Sequence, residues 1–160
     1  STATRAVTKA AAEFLASNPM DYEKAVTVTR ASDGSVVSLE TNTAVINSFS
    51  DSMVEYIIGF VKKNDSVSVK IPLGSLMKNP LLSGKGPSVR VRASVIGSVV
   101  ASPESTFTSA GINQSCHRIT VNVCLKYRLV LPNGMRDAEV TVPVCIAETV
   151  IVGDVPNYLR

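Results

Sequence analysis

A strict alternation of apolar and polar side chains constrains the fold of this chain more than any other sequence feature. In the segment His117–Leu129 every second residue belongs to a mainly apolar set, and the residues between are mainly polar. The apolar alternation resumes over Val140–Ile146. Successive side chains on a strand point to opposite faces, so a period of two predicts two long strands, each with one buried face. Asn133 and Gly134 lie between them and are typical of a tight turn, which predicts an antiparallel hairpin.

A two-residue turn at that Asn-Gly pair also predicts the register of the hairpin. Leu125 then faces Val142, and Cys124 faces Pro143, so that apolar residues meet on one face. Pro143 has no N–H to donate, which indicates an edge strand. Cys145 lies only diagonally from Cys124 in this register, at a separation that disfavours a disulfide.

The remaining cysteine spacing gives no disulfide or metal signal. The chain has three cysteines, and Cys116 and Cys124 are predicted to lie on one strand. Eight residues of extended chain span about 26 Å, so these two thiols are not expected to bond. No spacing resembles a zinc site. Cysteine usage therefore leaves the cellular compartment open.

The first 72 residues predict the order helix, strand, strand, helix, strand. Helices are expected over residues 2–16 and 43–63, and strands over 25–30, 36–40 and 67–71. Two helices on one face of a three-stranded sheet would bury the apolar stripe of each helix. This order resembles the ring-building modules of bacterial intermembrane and secretion assemblies, and one type of KH domain. A KH domain needs a GxxG loop, and the sequence contains none, which disfavours RNA binding.

Residues 73–87 divide the chain into two parts of different composition. This stretch is rich in Gly and Pro and is predicted to be a connecting loop. Residues 88–160 are predicted to be antiparallel and rich in β-structure, and to pack with the αββαβ module of residues 1–72 as one unit. The expected fold class is therefore α+β.

Charge and hydropathy restrict the partners. The net charge is only +3, and the basic residues are scattered rather than arranged with aromatic residues along one stripe. Nucleic acid is therefore not an expected partner. No apolar run approaches the roughly 20 residues that span a bilayer. The sequence starts at Ser1 without a Met, so we expect it to be part of a longer protein.

Three candidate chemical motifs all favour structural roles. His117 is the only histidine, and its neighbour Cys116 is predicted to point to the opposite face of the strand. Lys85 stands between two glycines and precedes a strand, whereas a phosphate-binding loop ends in Lys and Ser or Thr at a helix. Glu104 is expected in a loop, and Glu148 near the end of a strand. No catalytic, cofactor-binding or metal-binding residue is predicted.

Four short runs together resemble one family. They are IPLG at residues 71–74, GKGP at 84–87, AGINQSCH at 110–117 and AETVIVGDVPNY at 147–158. Their order and spacing are similar to those of the YunB sporulation proteins of endospore-forming bacteria. The residues that match as family landmarks are Pro72, Gly74, Gly84, Gly86, Pro87, Gly111, Asn113, Gln114, His117, Glu148, Gly153 and Pro156.

The resemblance implies a membrane-anchored protein that takes part in spore formation in the mother cell. It implies an N-terminal transmembrane anchor, absent from this chain, and a domain outside the cytoplasm, in the intermembrane space of the developing spore. It supplies no reaction and no cofactor. We therefore expect a non-enzymatic structural or interaction domain whose partners are other sporulation envelope proteins or itself. The alternative is an envelope hydrolase or a cell-wall ligand-binding module, which a cleft holding His117 with Glu148 or another acid would favour.

Overall fold

The computed structural model describes residues 2–63, 67–77, 80–93, 96–131 and 134–153. Within these ranges, two long helices, α1 (Thr2–Ser17) and α3 (Thr43–Lys63), and two one-turn helices, α2 (Tyr22–Ala25) and α4 (Leu73–Leu76), alternate with strands. A 3-10 turn covers Pro80–Leu82.

The strands form three antiparallel sheets. A short hairpin pairs β1 (Val26–Arg30) with β2 (Val36–Thr41), and a second pair joins β3 (Val67–Pro72) to β4 (Ser88–Ala93). The long sheet has the order β5-β6-β7 and consists of Ile96–Gly111, Gln114–Leu131 and Gly134–Val152. The fold is therefore α+β, as the sequence predicts.

One apolar core joins the long helices to the long sheet. Helix α1 contacts β7, helix α3 contacts β5, and the two helices contact each other. The central strand β6 buries Val121 and Val123 completely, and α3 does the same with Met53 and Ile57. Both helices thus cover the same face of the sheet. Burying a side chain of this size contributes about 1.5–3 kcal/mol, so this layer holds the two halves of the chain together.

The helices cover a different sheet from the one that the sequence suggests. The prediction of a three-stranded sheet within the first 72 residues is wrong, because β3 pairs with β4 and not with the β1–β2 hairpin. The apolar stripes of α1 and α3 instead find their partner in β5, β6 and β7. The physical reason is the size of the apolar surface that the long sheet offers, compared with two short strands.

The register of the long hairpin also differs from the prediction. Leu131 pairs with Gly134, so Gly134 belongs to β7 and not to the predicted turn. Leu125 consequently faces Val140 rather than Val142, and Cys124 faces Thr141 rather than Pro143. The shift is two residues along β7, and it leaves every side chain on its predicted face because the side-chain period is two.

A β-bulge changes the register again toward the end of β7. Thr120 faces Cys145 and Ile119 faces Ala147, so Ile146 is the extra residue of the bulge. Both Ile146 and Ala147 are buried, which a regular strand does not allow for neighbours. The bulge therefore reverses which residues of the final segment face the helices.

The structure confirms two local predictions and contradicts two others. Helix α3 has the predicted bounds, and the Asn42 side chain accepts a hydrogen bond of 3.3 Å from the Val45 N–H at its start. Pro143 lies on an edge strand, as predicted. Ala25 ends a short helix instead of starting a strand. Glu104 is not in a loop, because it lies within β5 opposite Thr120.

Candidate functional site at the tip of the long sheet

Two family motifs that are distant in sequence meet at one end of the long sheet. We call this end the sheet tip; it comprises residues 105–117 of the β5–β6 hairpin and 147–153 of β7. Gly111 and Asn113 form the turn and have φ values of 144° and 56°, in the region that favours glycine or asparagine. The Gly153 N–H donates a hydrogen bond of 2.6 Å to the Asn113 carbonyl oxygen, and Gln114 pairs with Val152. The tip is thus closed by main-chain contacts between the motifs.

His117 lies at the base of the tip and is 1% exposed. The Tyr22 hydroxyl is 2.5 Å from its Nδ1, and the Ser105 hydroxyl is 2.7 Å from its Nε2. A neutral imidazole has one donor and one acceptor nitrogen, so one hydroxyl donates to the ring and the other accepts from it. The contact with Tyr22 connects α2 to the long sheet. The ring is thereby hydrogen-bonded on both sides.

Two aromatic rings complete the environment of His117. Phe107 stacks on the imidazole with ring centroids 4.3 Å apart and an angle of 9°, and Tyr22 meets it edge-on at 5.6 Å. Burial lowers the pKa of His117, because the charged imidazolium is poorly solvated there. Burial also raises the pKa of the Tyr22 hydroxyl. Both shifts favour the neutral forms, which matches a packed structural histidine.

Glu148 is directed away from His117. The Arg118 Nε donates to a carboxylate oxygen of Glu148 at 2.5 Å, and these residues pair across β6 and β7. Because His117 precedes Arg118 on the strand, the histidine and the ion pair lie on opposite faces of the sheet. Both side chains of the pair are about half exposed, at 52% and 43%, so solvent screens much of their attraction.

The tip exposes apolar side chains around its turn. Phe107 is 59% exposed, Ile112 84%, Val150 52% and Val152 63%. Phe107 lies on the face of His117, whereas Val150 and Val152 are opposite Cys116 and Gln114 on the other face. The exposed apolar residues therefore surround the tip, with Ile112 at its apex.

The other landmarks close the connection between β3 and β4. The Leu73 N–H donates to the Pro87 carbonyl and the Gly74 N–H to the Lys85 carbonyl. Gly84 and Gly86 have φ values of 80° and 97°, and Pro72 ends β3 opposite Ser88. These landmarks maintain the shape of a loop, and Pro156 lies outside the described residues.

The sequence pattern does not predict which residues contact His117. Ser105 and Phe107 lie on β5, and Tyr22 lies on the one-turn helix α2. The β5 sequence alternates weakly, because its helix-facing positions include Pro103 and Ser105. The only available signal was the alternation of Ser105 and Phe107 with neighbouring threonines.

The described part of the chain contains no cluster of three or more His, Cys, Asp or Glu side chains arranged to hold a metal ion. Among the same residues, no helix has both the length and the apolar character to cross a bilayer. The three thiols are unpaired, and the Cys124 Sγ donates to a Glu139 carboxylate oxygen at 3.2 Å.

Comparison with known proteins gives the family. The fold is a small α+β domain. Its sequence motifs lie in the β3–β4 connection and at the sheet tip. The family model of sporulation protein YunB matches residues 68–158, so the chain belongs to the YunB family of sporulation proteins. Sporulation protein YunB of Bacillus subtilis (strain 168) is 25% identical over 136 residues, which are 79% of this chain and 54% of that relative. The chain thus spans about half the length of the curated relative. No solved structure matches significantly.

Proposed function

We propose that this chain is a non-enzymatic interaction domain of a membrane-anchored sporulation protein. In this proposal the anchor lies in a part of the protein outside this chain. The domain works outside the cytoplasm, between the two membranes of the developing spore. Its partners are other envelope proteins of sporulation or further copies of itself.

The observation that carries this proposal is the apolar character of the sheet tip. The motifs around Asn113 and Gly153 meet there through a main-chain hydrogen bond, and Ile112 at the apex is 84% exposed. A tight turn of this kind fixes the main chain that carries Ile112, so little main-chain entropy is lost when a partner covers it. Rigid, exposed apolar residues are typical anchors of protein interfaces.

A hydrolase is the second candidate, and one contact favours it. The Ser105 Oγ lies 2.7 Å from the His117 Nε2, within the range of a nucleophile and its base. The other nitrogen meets the Tyr22 hydroxyl, however, where hydrolases of this type place a carboxylate that stabilises the imidazolium. Burial of the ring opposes the same charge. The contacts therefore favour a structural tie over an activated serine.

Sporulation of cells that carry variants of the full-length protein tests the proposal. We expect Ile112→Asp to reduce the yield of heat-resistant spores at least tenfold, because a buried carboxylate at the interface is strongly unfavourable. The control is Val37→Asp, which places the same charge at a residue that is 66% exposed on β2. Equal yields for the two variants, with both proteins folded and present at normal amounts, contradict the proposal.

The hydrolase is tested separately with Ser105→Ala. We expect this variant to sporulate normally and the original protein not to react with a fluorophosphonate probe. Labelling of the original protein that disappears in Ser105→Ala, together with loss of sporulation, would support the hydrolase instead.

A further inference from the structure

A groove runs between the β1–β2 hairpin and the last residues of β7. Its volume is about 600 Å³, which lies in the range of ligand-binding clefts. Val26, Thr27 and Val28 form one wall, and residues 149–152 form the other. Tyr22, which contacts the buried His117, also lines it. The groove therefore shares residues 149–152 with the sheet tip.

The β7 wall presents the edge of that strand, whereas the hairpin wall, which also includes Val36 of β2, presents mainly one face of β1. Neighbouring residues on a strand point to opposite faces, so the wall that consists of residues 149–152 is lined by the edge of β7. Among the described residues, β1 pairs only with β2 and β7 pairs only with β6. The outer edge of each strand therefore carries main-chain N–H and C=O groups without a strand partner.

The chemistry of the groove limits what it can bind. Its walls combine polar and apolar surface, and the apolar part includes Val28, Val150 and Val152. Glu23 lies before the start of β1 and Arg30 lies at its end, and both line the groove. Four steps of extended chain separate Val26 from Arg30 by about 13 Å. The groove thus combines a free strand edge, several valine side chains and a charge of opposite sign toward each end.

We propose that this groove binds an extended peptide segment of a partner protein. The segment hydrogen-bonds to the free edge of β7 through its main chain, as in recognition by strand addition. Its apolar side chains contact the valine walls, a basic residue lies near Glu23, and an acidic residue lies near Arg30. This inference rests on the proposed interaction function and names the chemical class of the partner.

A phage-displayed library of random nine-residue peptides, selected on the immobilised 160-residue chain, tests the proposal. We expect selected peptides to combine apolar β-branched or aromatic residues with one basic and one acidic residue. The selected peptides, synthesised with a fluorescein label, should slow hydrogen exchange at residues 26–30 and 149–152. Arg30→Glu should weaken their binding about fivefold or more, since attraction becomes repulsion.

The matched control is Lys24→Glu, which makes the same change of charge at an exposed residue that does not line the groove. It should alter binding less than twofold. The proposal is overturned if no peptide is selected, if protection appears elsewhere, or if the two variants weaken binding equally. Protection of the groove by a purified disaccharide-tetrapeptide from peptidoglycan, with no peptide selected, also overturns it. If Ile112→Asp still causes a spore defect in that case, the proposed function is supported although the peptide groove is not. The two failures are therefore distinguishable.

Discussion

The Gly153 N–H donates a 2.6 Å hydrogen bond to the carbonyl oxygen of Asn113. This contact joins the end of β7 to the turn between β5 and β6, although 40 positions of sequence separate the two residues. Neither residue contributes a reactive side chain to the contact. The family motifs on either side therefore determine the shape of the sheet tip.

The buried His117 should make stability depend on pH. Its pKa in the folded protein is lower than the value of about 6.5 in an unfolded chain. At a pH between these two pKa values the unfolded state binds more protons than the folded state. The free energy of unfolding therefore has its full value above about pH 6.5 and falls as the pH decreases. The slope for a single proton is at most about 1.4 kcal/mol per pH unit. Urea unfolding of the original protein and of His117→Gln, between pH 5.5 and 7.5, should show this slope only in the former. An equal slope in both contradicts the assignment.

His117→Gln should also support sporulation when the protein is folded, because the imidazole has no chemical role in the proposed function. Glutamine retains a donor and an acceptor for the Tyr22 and Ser105 hydroxyls. Spore yield should remain within about twofold of the original, given that the melting temperature is above the growth temperature. A stable variant that forms no spores would show that the imidazole does more than hold α2 to the sheet.

Gly74→Ala should destabilise the loop between β3 and β4. A Cβ at this position would lie 1.7 Å from the Leu82 carbonyl oxygen, so the main chain has to move. We expect a loss of about 2 kcal/mol, typical of overpacking. Gly59→Ala is the control, because a Cβ there meets nothing within 4 Å and α3 is helical at that residue. It should be neutral or stabilise by up to about 1 kcal/mol. Thermal unfolding compares the two, and equal melting temperatures contradict the close approach at Gly74.

All three cysteines should be free thiols. Cys124 faces Thr141 and Cys145 faces Thr120, so the two side chains do not oppose each other in the hairpin. Mass measurement after alkylation without reductant should show three modified thiols. A bond between Cys124 and Cys145 would require another register of β6 and β7.

The sequence predicts an element well when the signal for it lies within the element itself. The period of two in β6 and the spacing of apolar residues in α3 are local, so both elements have the predicted type. The pairing of β3 with β4 is not local, because it depends on which sheet gives the helices the larger apolar surface. The predicted and the observed registers of β6 and β7 differ by two residues and place every side chain on the same face. Periodicity alone therefore does not choose between them.

The candidate site is predictable only in part for the same reason. The sequence favours a structural role for His117, and the structure shows this residue buried and hydrogen-bonded. Its partners Tyr22 and Ser105 come from segments 95 and 12 positions away. Nothing in the sequence near either residue indicates that it contacts an imidazole. The resemblance names the landmark residues, but only the structure shows that some of them meet at the tip and others close the β3–β4 connection.

Crosslinking in sporulating cells tests the central claim most directly. A photoreactive amino acid replaces Ile112 at the sheet tip in the full-length protein, and in a matched strain it replaces Val37 on β2, which is also well exposed. We predict a discrete crosslinked species, to another envelope protein or to a second copy, from position 112 and none from position 37. Monomeric protein from both positions, or the same crosslinks from both, would contradict the claim that the tip is the contact surface.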